Sequence, residues 1–327
     1  MNKVVVIGLG SMGRRRIRLM QTLDEVPQIV GVDTSTERQK QARKEYGIET
    51  SASLDEAIAG FNPNAALVCT SPASHGPIVM QCLEAGLNVY MEINLIGDWY
   101  DKASALAAKK GLKVFVSSTF LYHPQINYII DAVKGEKVNY IYHSGQYLPD
   151  WHPWESYKNF FVADKRTNAC REILAIEFPW ILKAFGEVES VHVMKEKDSS
   201  LELDFPDNFM ISIRHKNGNK GVFCQDVISR KGMRGLEIYS ENLHIFWDGR
   251  AQKLSRYNIE KKELETVVLP EDSVAYTAQV PSYFENVYRE ETKAFFDYLD
   301  GKAQPRHSLA EDKVTLCLID NIEKGQK

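Results

Sequence analysis

Lys3-Val4-Val5-Val6-Ile7-Gly8-Leu9-Gly10-Ser11-Met12-Gly13 decides how the first third of the chain folds. Residues 3–8 form a short, nearly continuous apolar run ending in glycine, the pattern of a parallel strand buried on both faces. The glycines then follow the spacing G-x-G-x-x-G. Gly8 permits a tight turn, Gly10 lets backbone approach a pyrophosphate, and Gly13 allows a helix to pack closely on the strand. A helix opening there offers free N–H groups and a partial positive charge to an anion, which makes Ser11 and Met12 candidate cofactor contacts. Further on, Ile29-Val30-Gly31-Val32-Asp33 is a second buried strand, and its terminal acid lies 20 residues beyond Gly13. An acid at that spacing accepts a hydrogen bond from an adenosine 2′-OH and repels a 2′-phosphate. The pattern implies a dinucleotide site that favours NAD over NADP. Thr34 adjoins the acid, and Arg38 is close enough to weaken the preference.

Outward from this segment, strands and helices alternate. Helical stretches are expected at about 12–23, 35–46, 54–60, 75–85 and 98–110, with strands at 65–70, 88–92 and 113–117. This alternation predicts an α/β fold, an N-terminal Rossmann domain with a doubly wound parallel sheet over residues 1–120. Beyond 120 the pattern changes. Strand-like runs at 138–147, 188–195, 201–204, 209–215, 221–228, 235–240, 243–247 and 264–268 are interrupted by one helix near 171–185. They predict a C-terminal α+β domain over 121–327 with an open-faced, mostly antiparallel sheet. Asn217-Gly218-Asn219 and Trp247-Asp248-Gly249-Arg250 mark hairpin turns. Helices at 284–300 and 308–324 close the chain and are expected to pack back.

The chain has 327 residues and a formal net charge of −4, which gives no electrostatic footprint for nucleic acid. Arg14, Arg15 and Arg16 form the one basic run, read as solvated or phosphate-proximal helix residues. Five widely spaced cysteines read as reduced thiols, and His152 with Glu155 is the only tight ligand pair, so no metal site is expected. No leader or membrane span is evident in the residues given, so a soluble, cytoplasmic protein is expected.

Three stretches carry a resemblance: Val6–Gly13, then Cys69-Thr70-Ser71-Pro72-Ala73-Ser74-His75, then Ala85-Gly86-Leu87-Asn88-Val89-Tyr90-Met91-Glu92. Together with Tyr288-Arg289-Glu290-Glu291 and Phe295–Leu299 they resemble the glucose–fructose oxidoreductase, inositol dehydrogenase and MocA family. The resemblance implies hydride chemistry on sugars or polyols, and homodimers or homotetramers built through the second sheet. It also implies cofactor contacts from Thr70, Ser71, Pro72, His75, Glu92 and Asn94. The departures are chemical. Family enzymes carry Glu-Lys-Pro where this chain has Glu92-Ile93-Asn94, so isoleucine stands for the lysine. The family's Arg-aromatic-x-Pro becomes Leu121-Tyr122-His123-Pro124. Its acid followed four residues later by histidine becomes Glu172 and Ile176. Only the acid survives.

Oxidising a carbinol needs a base for its proton. Tyr122 and His123 follow the last strand of the first sheet, and His152 lies in the aromatic stretch 147–158. Glu172 is the surviving acid at a family position, and burial in an apolar pocket would raise its pKa. These four are the candidate catalytic residues. Trp151, Trp154 and Tyr157 suit stacking on a sugar ring, while Lys165, Arg171 and Glu177 complete the candidate substrate set, with Arg171 or Lys165 as partners for a buried acid. The reading is an NAD-dependent oxidoreductase acting on a sugar, sugar derivative or sugar nucleotide. Two alternatives stay open: transient redox by a retained cofactor, as in epimerases, lyases or hydrolases, and a regulator that binds NAD but has lost catalysis.

Overall fold

The computed structural model describes residues 1–269 and 283–325. The chain divides into two compact units, Met1–Tyr122 with Tyr276–Lys313, and His123–Ala275 with Val314–Lys327. Among the described residues no helix is long and apolar enough to cross a membrane.

In the first unit β1 (Lys3–Ile7), β2 (Gln28–Val32), β3 (Glu49–Ser51), β4 (Ala65–Val68), β5 (Asn88–Met91) and β6 (Val114–Val116) form one parallel sheet in the order β3-β2-β1-β4-β5-β6. Val4, Val5 and Val6, like Ala65 through Val68, are completely buried, so these strands are apolar on both faces. The connecting helices are α1 (Ser11–Met20), α2 (Thr36–Tyr46), α3 (Leu54–Phe61), α4 (Pro72–Glu84) and α5 (Tyr100–Lys110). Local chemistry sets their ends. Ser35 and Ser53 accept from the backbone N–H groups of Arg38 and Glu56, and Gly47 and Gly111 stop α2 and α5 in the left-handed region. The strand order reverses between β1 and β4. Ligands of such sheets lie outside the carboxyl ends of the strands at that switch point.

The second unit opens with α6 (Pro124–Ala132) and is built on an eight-stranded sheet. Its strands are β7 (Asn139–Gly145), β8 (Val188–Glu196), β9 (Asn208–His215), β10 (Lys220–Asp226), β11 (Met233–Tyr239), β12 (His244–Trp247), β13 (Leu254–Asn258) and β14 (Glu263–Thr266). They lie in the order β14-β13-β12-β11-β7-β10-β9-β8, antiparallel except for the parallel pair β7 and β10. Helix α7 (Ala169–Phe185) covers one face. Phe185 stacks on Tyr140 at 4.0 Å between centroids, and Trp180 meets Tyr142 edge-on at 5.3 Å. Burial alternates along β9, with Phe209, Ile211 and Ile213 inside and Met210, Ser212 and Arg214 outside. The outward face is open in this chain: Ile141, Met194, Met210 and Met233 are exposed there. Two helices close the chain, α8 (Tyr283–Leu299) and α9 (Leu309–Lys324).

The sequence reading misplaces one strand. Residues 201–204 form a bend, because the Asp207 carboxylate accepts from the N–H groups of Asp198 and Ser199 and curls the chain before Pro206. It also passes over β3, β13 and α6. The first is short and polar, and the third begins at Pro124, a residue that reads equally as a loop.

Candidate functional site

The glycine segment after β1 is held by its acid. The Leu9 N–H donates to Asp33 Oδ2 at 2.8 Å, and the Ser35 N–H donates to Oδ1 at 2.8 Å. Gln39 donates its side-chain amide to the Asp33 carbonyl at 2.7 Å. Asp33 is thereby fixed at the carboxyl end of β2 beside the loop. Thr34 is exposed next to it, and the Arg38 guanidinium, itself mostly exposed, lies 3.7 Å from Oδ2. Gly8 adopts φ +91°, and a Cβ at Gly13 would lie 1.8 Å from the Gly8 carbonyl oxygen. Those two positions require glycine. Gly10 differs: nothing lies within 4 Å of a Cβ built there. The space beside it suits a group that must come close to the backbone. No side chain caps α1 and no acid sits in its first turn, so the N–H groups from exposed Ser11 and half-buried Met12 onward remain available to an anion. These residues fit the pyrophosphate and adenosine ribose of a dinucleotide.

The other half of the sheet presents the loops after β4, β5 and β6. Ser71 precedes α4, with Pro72 at its first position, and Ser74 donates to Thr70 Oγ1 at 2.8 Å. His75 is fully buried with Nε2 2.9 Å from the Thr70 carbonyl, and burial pulls its pKa down to about 4. It is a neutral fixture of the loop. Asn94 donates to the Tyr100 hydroxyl and the Ile96 carbonyl, both at 2.7 Å. Ser118 Oγ is buried without a hydrogen-bond partner. Tyr122 is 8% exposed and carries the Arg306 guanidinium 4.8 Å from its ring centre; burial raises its pKa.

Arg16 corrects the reading of the basic run as solvated or phosphate-proximal. It is completely buried, because its turn of α1 faces the core beside Ile17, Leu19 and Met20. Its Nε donates to Glu92 Oε1 at 2.6 Å, and its Nη2 donates to Glu291 Oε2 at 2.7 Å. Nη1 donates to Thr292 Oγ1 at 3.0 Å and to the Tyr288 carbonyl at 3.1 Å. Glu291 in turn accepts from the Ser118 N–H at 2.6 Å, Thr119 Oγ1 at 2.9 Å and the Tyr90 hydroxyl at 3.1 Å. Sequence reasoning missed this cluster. The available signal was an arginine three residues past Gly13, in register with the buried side of an amphipathic helix. Arg15 and Arg18 both pair with Glu285 at the partly exposed edge.

In the second unit, Glu177 is wholly buried in a satisfied network. It accepts from Arg234 Nη2 at 2.8 Å, Tyr142 Oη at 2.8 Å, Trp180 Nε1 at 2.7 Å and Ser144 Oγ at 3.2 Å. The expected partners, Arg171 or Lys165, are not its cation; Arg234 from β11 is. Arg171 pairs with Asp320 and Glu323, and Lys165 lines an open depression with Asp164, Glu202 and Asp204. Glu172 is different. Its Oε2 is buried without a hydrogen-bond partner, and burial raises its carboxyl to about 7. His123 is fully buried, edge-on to Trp247 at 5.3 Å, and burial with the nearby Arg234 charge lowers its pKa to about 3. A base that weak is poorly matched to neutral pH. The aromatic stretch lies at the surface. Trp154 is 75% exposed and stacked on His152 at 5.0 Å, and His152 Nδ1 is 3.0 Å from Glu155 Oε1. Trp151 Nε1 donates to the Gln146 carbonyl, and Tyr157 Oη accepts from the Glu202 N–H, each at 3.1 Å.

Residues 2–118 match the family model of the oxidoreductase family with an NAD-binding Rossmann fold, Gfo/Idh/MocA. A 4-carboxy-2-hydroxymuconate-6-semialdehyde dehydrogenase from Sphingobium sp. is 25% identical over 134 residues, 40% of this chain and 42% of that protein. The matched stretch thus spans less than half of that relative. Among solved structures, the WlbA dehydrogenase from Bordetella pertussis in complex with NADH and UDP-GlcNAcA superposes with a TM-score of 0.79 at 14% identity, covering 99% of this chain and 95% of that one. Biliverdin reductase from Synechocystis, in complex with biliverdin and NADP+, gives 0.76 at 16% identity, covering 99% and 98%. At such identities the likeness is one of fold. The glycine cradle, the strand order and the match over residues 2–118 make the first unit of this chain an NAD(P)-binding Rossmann unit similar to that of the Gfo/Idh/MocA oxidoreductase family.

Proposed function

We propose that the chain is an NAD-dependent oxidoreductase that acts on a carbinol of a sugar, a sugar derivative or a sugar nucleotide. The observation that carries this reading is the contact between Asp33 and the glycine loop, which leaves a carboxylate where NADP would bring a phosphate. Arg38 beside it narrows the preference without reversing it. A bound nicotinamide supplies hydride transfer. The chain's own residues must hold the substrate and move its hydroxyl proton. Glu172, with a carboxyl near 7 and a free buried oxygen, is the proton carrier in this reading. Tyr122 or His152 is the direct partner of the hydroxyl; the low basicity of His123 weighs against that third candidate. The surface position of Trp154 and His152 suits stacking on a sugar or a base, and the sugar nucleotide carried by the WlbA dehydrogenase supports that substrate class.

The test is a substrate screen with purified protein and NAD+, following nicotinamide absorbance against a panel of free sugars and UDP-sugars. One reduced nicotinamide per product is expected. Product without any absorbance change would replace this reading with transient redox by a retained cofactor.

A further inference from the structure

We propose that the buried Arg16, Glu92 and Glu291 cluster poises the nucleotide-binding unit toward the oxidised form of its cofactor. The proposal rests on the reading above that the unit binds a nicotinamide dinucleotide. Two carboxylates share one guanidinium, which leaves one negative charge in excess. Arg16 and Glu291 are wholly withdrawn from solvent, and the Glu92 side chain is only 10% exposed. Burial leaves that excess poorly screened. Among the described residues, the groups around the cluster do not cancel it. Ser117, Ser118, Thr119 and Tyr90 are neutral donors to Glu291. Arg15 and Arg18 are 30% and 35% exposed and share Glu285, so water screens their surplus. Arg306, over Tyr122, is exposed.

Position gives the cluster its consequence. Each half of a sheet with this strand order takes one mononucleotide. The glycine loop and Asp33 sit on β1 and β2 and take the adenosine half, which leaves the loops after β4, β5 and β6 for the nicotinamide half. Glu92 directly follows β5, and the segment tied to Glu291 directly follows β6. The nicotinamide ring is cationic when oxidised and neutral when reduced. A buried excess carboxylate at these strand ends therefore stabilises the oxidised ring selectively, by about tenfold for one partly screened charge.

Calorimetric titration of the full chain with NAD+ and with NADH tests this without turnover. The wild type is expected to bind NAD+ at least as tightly as NADH. Glu92→Gln keeps the shape and a hydrogen-bond acceptor for Arg16, and is expected to raise the ratio Kd(NAD+)/Kd(NADH) about tenfold. A wild type that binds NADH clearly tighter overturns the proposal even if the variant fails to fold, as does an unmoved ratio in a folded Glu92→Gln. Failure of the wild type to bind either nucleotide would instead overturn the cofactor reading itself.

Discussion

Arg16 and Glu291 lie 275 positions apart in sequence, yet they form an ion pair of 2.7 Å in which both side chains are fully buried. The pair ties α8 to α1 and, through Glu291, to the segment after β6 that ends in Tyr122. Removing one partner of a buried ion pair strands the other, at a cost of about 3–5 kcal/mol. Arg16→Met leaves two carboxylates facing each other and is expected to lose at least that much in urea unfolding. Arg16→Lys recovers only part of it, because an ammonium cannot reproduce the forked contacts to Glu92, Glu291 and Thr292. A loss below about 1 kcal/mol in Arg16→Met would show that the cluster is not structural.

The glycines separate folding from binding. Gly10→Ala places its Cβ in open space at an ordinary φ of −72°, so stability should change by no more than about 0.5 kcal/mol. Dinucleotide affinity should nevertheless fall at least about tenfold, since in the proposed reading the new methyl occupies the approach to the pyrophosphate. Gly13→Ala meets the Gly8 carbonyl oxygen at 1.8 Å and is expected to damage both properties. Thermal melts paired with NADH titrations distinguish the two variants.

Glu172 gives a pH signature with a defined sign. Its folded pKa, about 7, lies above the ordinary 4.5, so between these values the folded state holds a proton that the unfolded state has lost. The contribution is fully present below about 4.5 and is lost as the pH rises to about 7. Glu172→Gln abolishes that decline in stability, read from urea midpoints across the window. In the proposed reaction the same variant loses the limb near pH 7 and about 10²-fold in turnover, with NAD affinity nearly unchanged. Near-normal turnover would remove Glu172 from the proton path.

Much of the first unit was legible because buried parallel strands and a glycine turn leave local signatures. β1, β2, β4 and β5 are short apolar runs, and the helical stretches between them follow the alternation. Arg16 was legible only as an arginine in register with the buried side of α1, and its partners were not. Its burial depends on Glu291, a residue of the last third of the chain, and nothing local shows that a charged side chain has a distant partner. Glu177 makes the same point: an acid in an apolar helix implied a cation, but β11 supplies it, as Arg234, and not the neighbouring Arg171. The parallel pairing of β7 with β10 likewise joins segments separated by α7 and two further strands. Periodicity could not reveal it.

Trp154→Ala should be silent in stability, within about 0.5 kcal/mol, because the side chain is 75% exposed. If the aromatic stretch receives the sugar or base, KM for the substrate rises while the affinity for NAD stays unchanged. An unaltered KM would leave Trp154 as a surface residue without a part in recognition.

The most direct measurement is a pair of fluorescence titrations, NADH against NADPH, on wild type and on Asp33→Ala. Asp33 accepts from the Leu9 and Ser35 N–H groups, and in the proposed reading its carboxylate meets the position where only NADP carries a phosphate. The wild type is predicted to bind NADH more tightly than NADPH, and Asp33→Ala to narrow that difference by weakening NADH and relieving repulsion of NADPH. No NADH binding, or a clear preference for NADPH that Asp33→Ala leaves untouched, would contradict it.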